Sequence, residues 1–219
     1  MSNVNTEQWN QNSLIMQESR LARWHRQRII GLSRFHELIT DRRAAILDLG
    51  CGSGFFLREF HTRGYRGLYG IEPDRALMAN IPPGIAQVRD DKAEAIGFAS
   101  ATFDAVFVYG VLHHLPDLEV YAKACREMDR VLKPGGRIFI MEPGRLWVFK
   151  LVEWMSGWLG PMYPPLRALR ASMEEERKEQ EYFIEHHAIF REFFQKERYR
   201  TLADRYFLYT WIFTAQKPA

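Results

Sequence analysis

Residues 46–54 read ILDLGCGSG, and the reading of this stretch decides the fold. With Ala44 and Ala45 in front, Ile46, Leu47 and Leu49 make a short apolar run that predicts a buried strand. Three glycines follow at alternate positions, Gly50, Gly52 and Gly54. Inside a regular element each would cost roughly 0.5–1 kcal/mol against alanine, so the chain needs bare backbone here. A tight turn answers that need, and so does close approach to a bound molecule; the glycines alone do not separate the two. The spacing is G-x-G-x-G, not the phosphate-cradling G-x-G-x-x-G or G-x-x-x-x-G-K-[ST]. Asp48 adds a carboxylate that repels a pyrophosphate and attracts a cation.

Working outward, strands and helices alternate. Residues 55–64 predict a helix closed by Gly64. Strands are expected at 67–72, 85–90, 103–110 and 137–143, with a short helix opened by Pro73-Asp74. A helix is expected over 117–136, with Val120, Ala124, Met128 and Val131 on its apolar stripe. Such alternation with short links implies parallel strands, right-handed crossovers and helices on both faces of the sheet. Before it, residues 13–40 carry apolar positions at helical spacing among arginines. After it come the apolar stretch 144–173, a long charged helix through 172–197 and an alternating, β-rich end. The expected organisation is an N-terminal helical extension, 1–40, and an α/β domain, 41–219, carrying a helical lid insertion at 144–185.

The chain has 219 residues, 47% of them hydrophobic and 26% charged, which fits a globular protein and argues against disorder. A net charge of +3 is too mild to imply a nucleic-acid partner. Cys51 and Cys125 form no disulfide framework and lack metal-type spacing, so no metal is expected. The polar start, MSNVNTEQWNQNS, holds no secretory core, and a cytoplasmic location is expected.

Glu72 ends the second strand about twenty residues past the glycines, where a dinucleotide fold places the acid that grips a ribose 2′-hydroxyl. A ribose held there, a positive charge near Asp48 and no phosphates describe S-adenosylmethionine. The segments ILDLGCGSG, YGIEPD, KAEAIGF, FDAVFVYGVLHHLPD and EMDRVLKPGGRIFIMEP, in this order, resemble class I S-adenosylmethionine-dependent methyltransferases of the small-molecule type. The resemblance covers roughly residues 40–143. It implies a doubly wound, mostly parallel seven-stranded Rossmann-like sheet with an antiparallel last strand. It implies S-adenosylmethionine as cofactor, with Asp48 and the backbone of Gly50, Cys51 and Gly52 at its methionine part. Glu72 would hold the ribose, Pro73 would pack on the adenine, and Tyr109 would line the methionine side. Lys92 stands where the family has an aspartate, so Ala93 and Asp91 are the candidates at the adenine edge.

Methyl transfer from a sulfonium is mainly a matter of alignment. A base helps where the acceptor must lose a proton. His113 and His114 follow the fourth strand, and a histidine near pKa 6.5 would take a hydroxyl proton at neutral pH; the pair would serve equally as a helix-start element. Glu142 is an acceptor-side candidate, or a loop acid. His186-His187 is expected at the surface. Trp147 and Trp154 mark the 144–173 stretch as an acceptor lid, an interfacial helix or a core or dimer helix. The expected acceptor is small or amphiphilic, methylated on oxygen, or alternatively on carbon or nitrogen. Peripheral membrane contact, a homodimer and a non-catalytic binding role remain open readings.

Overall fold

The computed structural model describes residues 20–145, 147, 150, 151, 154, 157 and 176–219, with side chains from Arg23 onward. Residues 13–19 of the expected first helix lie outside that range. So do Phe149, Met155, Trp158, Leu159, Met162, Tyr163 and Glu174.

The chain runs α1 (Arg20–Ser33), α2 (Phe35–Leu38), β1 (Ala45–Leu49), α3 (Phe55–Thr62), β2 (Gly67–Ile71), α4 (Arg75–Met78) and β3 (Gln87–Arg89). It continues through β4 (Phe103–Tyr109), a 3₁₀ turn (Leu112–His114), α5 (Leu118–Val131), β5 (Leu132–Pro143), α6 (Arg177–His186), α7 (Ala188–Lys196), β6 (Arg200–Phe207) and β7 (Thr210–Gln216). The strands form one seven-stranded sheet in the order β3-β2-β1-β4-β5-β7-β6. β1 pairs in parallel with β2 and β4, whereas β7 is antiparallel to both β5 and β6. The doubly wound sheet with an antiparallel last strand is as the sequence implies.

Period-2 alternation divides the core between the two faces. Ile46, Ala105, Phe107 and Phe139 point to one face, under Ile29, Ile30 and Phe35 of α1 and α2 and Phe56, Leu57 and Phe60 of α3. Phe35 stacks on Phe60 at 4.5 Å, so the first helices form part of the layer covering the sheet. Leu47, Val106, Val108 and Ile138 point to the other face, under Tyr121, Ala124 and Met128 of α5 and Phe183, Phe190 and Phe194 of α6 and α7.

Three expectations shift. α5 stops at Val131 rather than at the glycines, and the chain is already extended at Leu132. The physical reason is Pro134, which biases the residue before it away from helix and removes a donor. β5 therefore begins five residues early, pairing Phe103 with Leu132 before its register shifts to pair Ala105 with Arg137. The long charged helix is two helices, α6 and α7, meeting at His187. That histidine is not a surface group: its ring packs 4.9 Å from Trp211, and Nε2 lies 3.2 Å from the Tyr206 hydroxyl.

Candidate functional site

In a sheet of this order the crevice lies beyond the carboxyl ends of the strands, where the chain turns from β1 outward to either side. The glycine turn sits there. Gly50 and Cys51 donate their N–H groups to the Ile71 carbonyl at 2.9 and 3.0 Å, tying the turn to the end of β2. Gly50 has φ +71°, and a Cβ built on it would stand 2.3 Å from Val111 Cγ2. Gly50→Ala is thus expected to cost on the order of 2–4 kcal/mol, from left-handed strain plus the clash. Denaturant unfolding checks this; an unchanged midpoint would mean that Val111 yields freely.

Behind the turn stand two buried carboxylates. Glu72 Oε2 accepts the Gly52 N–H and Oε1 the Asp74 N–H, both at 2.9 Å. Burial raises its pKa, while those two hydrogen bonds oppose the rise. Asp48 is 2% exposed, and its Oδ2 has no hydrogen-bond partner among the described residues. Burial, then the charge of Glu72, pushes it up to about 8. A buried acid lacking a donor is costly unless something bound supplies one.

The turn opens onto a cleft of about 620 Å³. Of the residues singled out in the sequence, Gly50, Cys51, Gly52, Glu72, Pro73, Asp91, Lys92, Ala93, Tyr109, His113, His114 and Glu142 all line it. Asp48 does not reach the wall; it lies beneath the turn. Trp147 and Trp154 are absent from the wall too, 65% and 63% exposed on helical backbone. Asp91 is committed within the wall, its Oδ2 accepting the Gly97 N–H at 3.0 Å and lying 3.8 Å from Arg89 Nε.

Beyond β4, Glu142 organises the opposite end. It is 1% exposed; Oε1 accepts the N–H groups of Val111 and Leu112 at 2.7 and 2.8 Å, and Oε2 meets His113 Nδ1 at 2.8 Å. Its carboxylate thus holds the 3₁₀ turn in place, and Glu142 also lines the cleft. His113 Nε2 lies 3.4 Å from Glu176 Oε2, close enough for an ion pair but without hydrogen-bond alignment. Burial alone would lower the His113 pKa, but Glu142 and Glu176 outweigh it and raise it to about 10. The two carboxylates thus favour the protonated ring, and His113 acts at neutral pH only where that proton is given up to a carboxylate or displaced by a bound cation. His114 is more open, with Nδ1 at 2.7 Å from Glu179 Oε2.

Among the wall residues that the sequence had not placed at the site are Arg26, Glu176, Gln180, Tyr209 and Thr210. Arg26 of α1 lies over the Phe55 ring at 3.6 Å, and burial lowers its pKa. His25 stacks on Tyr209 at 5.5 Å and is pushed down to about 4 by burial and then by Arg26. A signal for Tyr209 and Thr210 existed. β7 runs antiparallel from Thr210 opposite Pro143, so the turn before it must sit where β5 ends.

This sheet and cleft define the class I, Rossmann-like methyltransferase fold. Residues 47–140 match the family model described as "Methyltransferase domain". Among curated relatives, the mouse "Probable tRNA methyltransferase 9B" is 30% identical over 49% of this chain and 24% of its own length. "Ubiquinone/menaquinone biosynthesis C-methyltransferase UbiE" of Klebsiella pneumoniae is 32% identical over 46% of this chain and 43% of its own length. "Ubiquinone biosynthesis O-methyltransferase" of Cereibacter sphaeroides is 34% identical, covering 52% and 49%. The chain thus spans between about a quarter and a half of these relatives. A crystal structure of a putative S-adenosyl-L-methionine-dependent methyltransferase from Methanococcus maripaludis shares the fold, with TM-score 0.61 and 14% identity over 87% of this chain and 85% of that one.

Proposed function

We propose that the protein methylates a small or amphiphilic acceptor, on a hydroxyl oxygen, with S-adenosylmethionine as donor. One observation carries the reading: a single cleft joins a glycine turn backed by buried acids to a wall of hydrogen-bonding side chains. The residues at the first end fit the cofactor. Asp48 is a buried acid short of a donor, which suits a cationic ligand, and Glu72 stands at the end of β2 where a ribose would present two hydroxyls. When bound, the cofactor supplies a methyl carbon on a sulfonium, already activated for displacement.

What this chain adds is placement. The 3₁₀ turn, pinned by Glu142, lines the cleft beside the glycine turn, with Val111 against Gly50; well-oriented reactants gain much of a bimolecular barrier from such placement alone. Tyr109, Tyr209, Thr210, Gln180 and Glu176 offer donors and acceptors to a hydroxyl-bearing acceptor, which supports oxygen over carbon. The relatives' names include both kinds of atom, and a tRNA acceptor is the reading that one relative's name favours. Against it stands the mild net charge of +3. Trp147, Leu151 and Trp154, all exposed and spaced for one helix face, support an amphiphilic acceptor or its carrier. Among the described residues no helix is long and apolar enough to cross a membrane.

Calorimetric titration with S-adenosylmethionine and S-adenosylhomocysteine tests the cofactor, followed by assay of hydroxylated, quinone-like and tRNA acceptors with mass detection of the product. Glu72→Gln should weaken cofactor binding by about 1.5–3 kcal/mol, more than tenfold, because the charge-assisted bonds are lost. Unaltered affinity would move the ribose site elsewhere.

A further inference from the structure

We propose that His113, His114 and Glu176 form a divalent-cation site at the acceptor end of the cleft, suited to a first-row ion such as Zn²⁺ or Co²⁺. Among the described residues they are the one trio of potential ligands whose donor atoms all lie within 4.8 Å of one another. At metal–ligand lengths of roughly 2.0–2.2 Å, two ligands of a tetrahedral ion stand about 3.4 Å apart. His113 Nε2 and Glu176 Oε2 are already 3.4 Å apart.

A second observation is independent of that proximity. Both histidines have Nδ1 against a carboxylate, His113 at 2.8 Å from Glu142 and His114 at 2.7 Å from Glu179. A carboxylate behind a ring nitrogen fixes tautomer and ring orientation and presents the other nitrogen as a ligand, the usual outer layer of a metal site. The His113 ring is 4% exposed and Nε2 makes no hydrogen bond, so a buried polar atom aimed at Glu176 is left without one. Glu142 cannot swing away, because two backbone N–H groups hold its other oxygen.

Two imidazoles and one carboxylate suit borderline cations rather than Mg²⁺ or Ca²⁺, which take oxygen ligands. All three residues line the cleft, so the remaining coordination positions face the space where an acceptor would lie. A hydroxyl oxygen of the acceptor is the natural further ligand; this part of the inference rests on the methyltransferase reading. The ligands stand 62 positions apart, His114 against Glu176, so no short motif announces them.

The test uses full-length protein stripped with a chelator and titrated with Co²⁺, followed by visible d–d absorption, then back-titrated with Zn²⁺. The expected result is one Co²⁺ per chain, displaced by Zn²⁺, with affinity lowered at least about tenfold in both His114→Ala and Glu176→Gln. His61→Ala, outside the trio, should bind as the parent does. Absence of stoichiometric Co²⁺ binding, or binding that neither variant weakens, overturns the site. Each protein is also titrated with S-adenosylhomocysteine, which shows that the variants fold. Binding of that ligand without Co²⁺ leaves the methyltransferase reading and removes the cation site; Co²⁺ without that ligand does the reverse.

Discussion

Glu142→Ala should destabilise the protein by about 3–5 kcal/mol, the range for removing one partner of a buried ion pair. The truncation would strand three donors at once: the Val111 and Leu112 N–H groups and His113 Nδ1, all within 2.8 Å of the carboxylate. Two of these are backbone groups at the end of a parallel strand, with no side chain beside them to substitute. The loss should also release Val111, which stands against Gly50, so cofactor affinity should fall along with the unfolding midpoint. Glu142→Gln keeps one acceptor oxygen for the backbone pair and should recover part of the loss. Equal unfolding midpoints in urea for parent and alanine variant would show that this carboxylate does not hold the turn.

Asp48→Asn should do the opposite to stability. The folded pKa, about 8, lies above the unfolded value of 3.8, so between those values the folded state binds more protons than the unfolded one. Folding stability contributed by this group therefore falls as pH rises from about 4 to 8. By pH 7 the cost approaches roughly 4 kcal/mol at 1.36 kcal/mol per unit, an upper bound because asparagine brings its own buried donors. The variant should match the parent near pH 4 and exceed it by on the order of 1–3 kcal/mol at pH 7–8. Binding of S-adenosylmethionine should weaken at the same time, since the cationic end can no longer draw the group beneath it into its charged form. Parallel stability–pH curves for the two proteins would sink the assignment.

The first five strands and the glycine turn at the cleft were legible because their signals are local. Ile46 to Gly54 carry strand, turn and cleft wall within nine residues, and Glu72 follows at the interval a βαβ unit dictates. The roles of Glu142 and His113 were not legible in that way. Each is ordinary in its own segment, and their meaning comes from pairing β5 with β4, which brings residue 142 beside residue 113. Asp48 was visible as an acid near the glycines, but whether it touches the cleft or lies under it depends on which way a strand residue faces at the sheet's edge. Arg26 was one of a row of arginines, and nothing in the row distinguishes the one folded over Phe55.

The β6–β7 hairpin returns Tyr209 and Thr210 to the cleft, where they share a wall with Arg26 from α1 and with Glu176 and Gln180. All five lie outside the matched segment, 47–140, while Gly50, Gly52, Glu72 and the adenine-side residues lie inside it. The cleft is therefore built from two kinds of chain, one matched by the family model and one outside it. The residues proposed to hold the donor lie in one continuous passage, the one that the family model matches. The wall proposed for the acceptor is divided: Tyr109, His113 and His114 belong to that passage, and the other five come from the chain on either side of it, so changes there would alter the wall without touching the glycine turn.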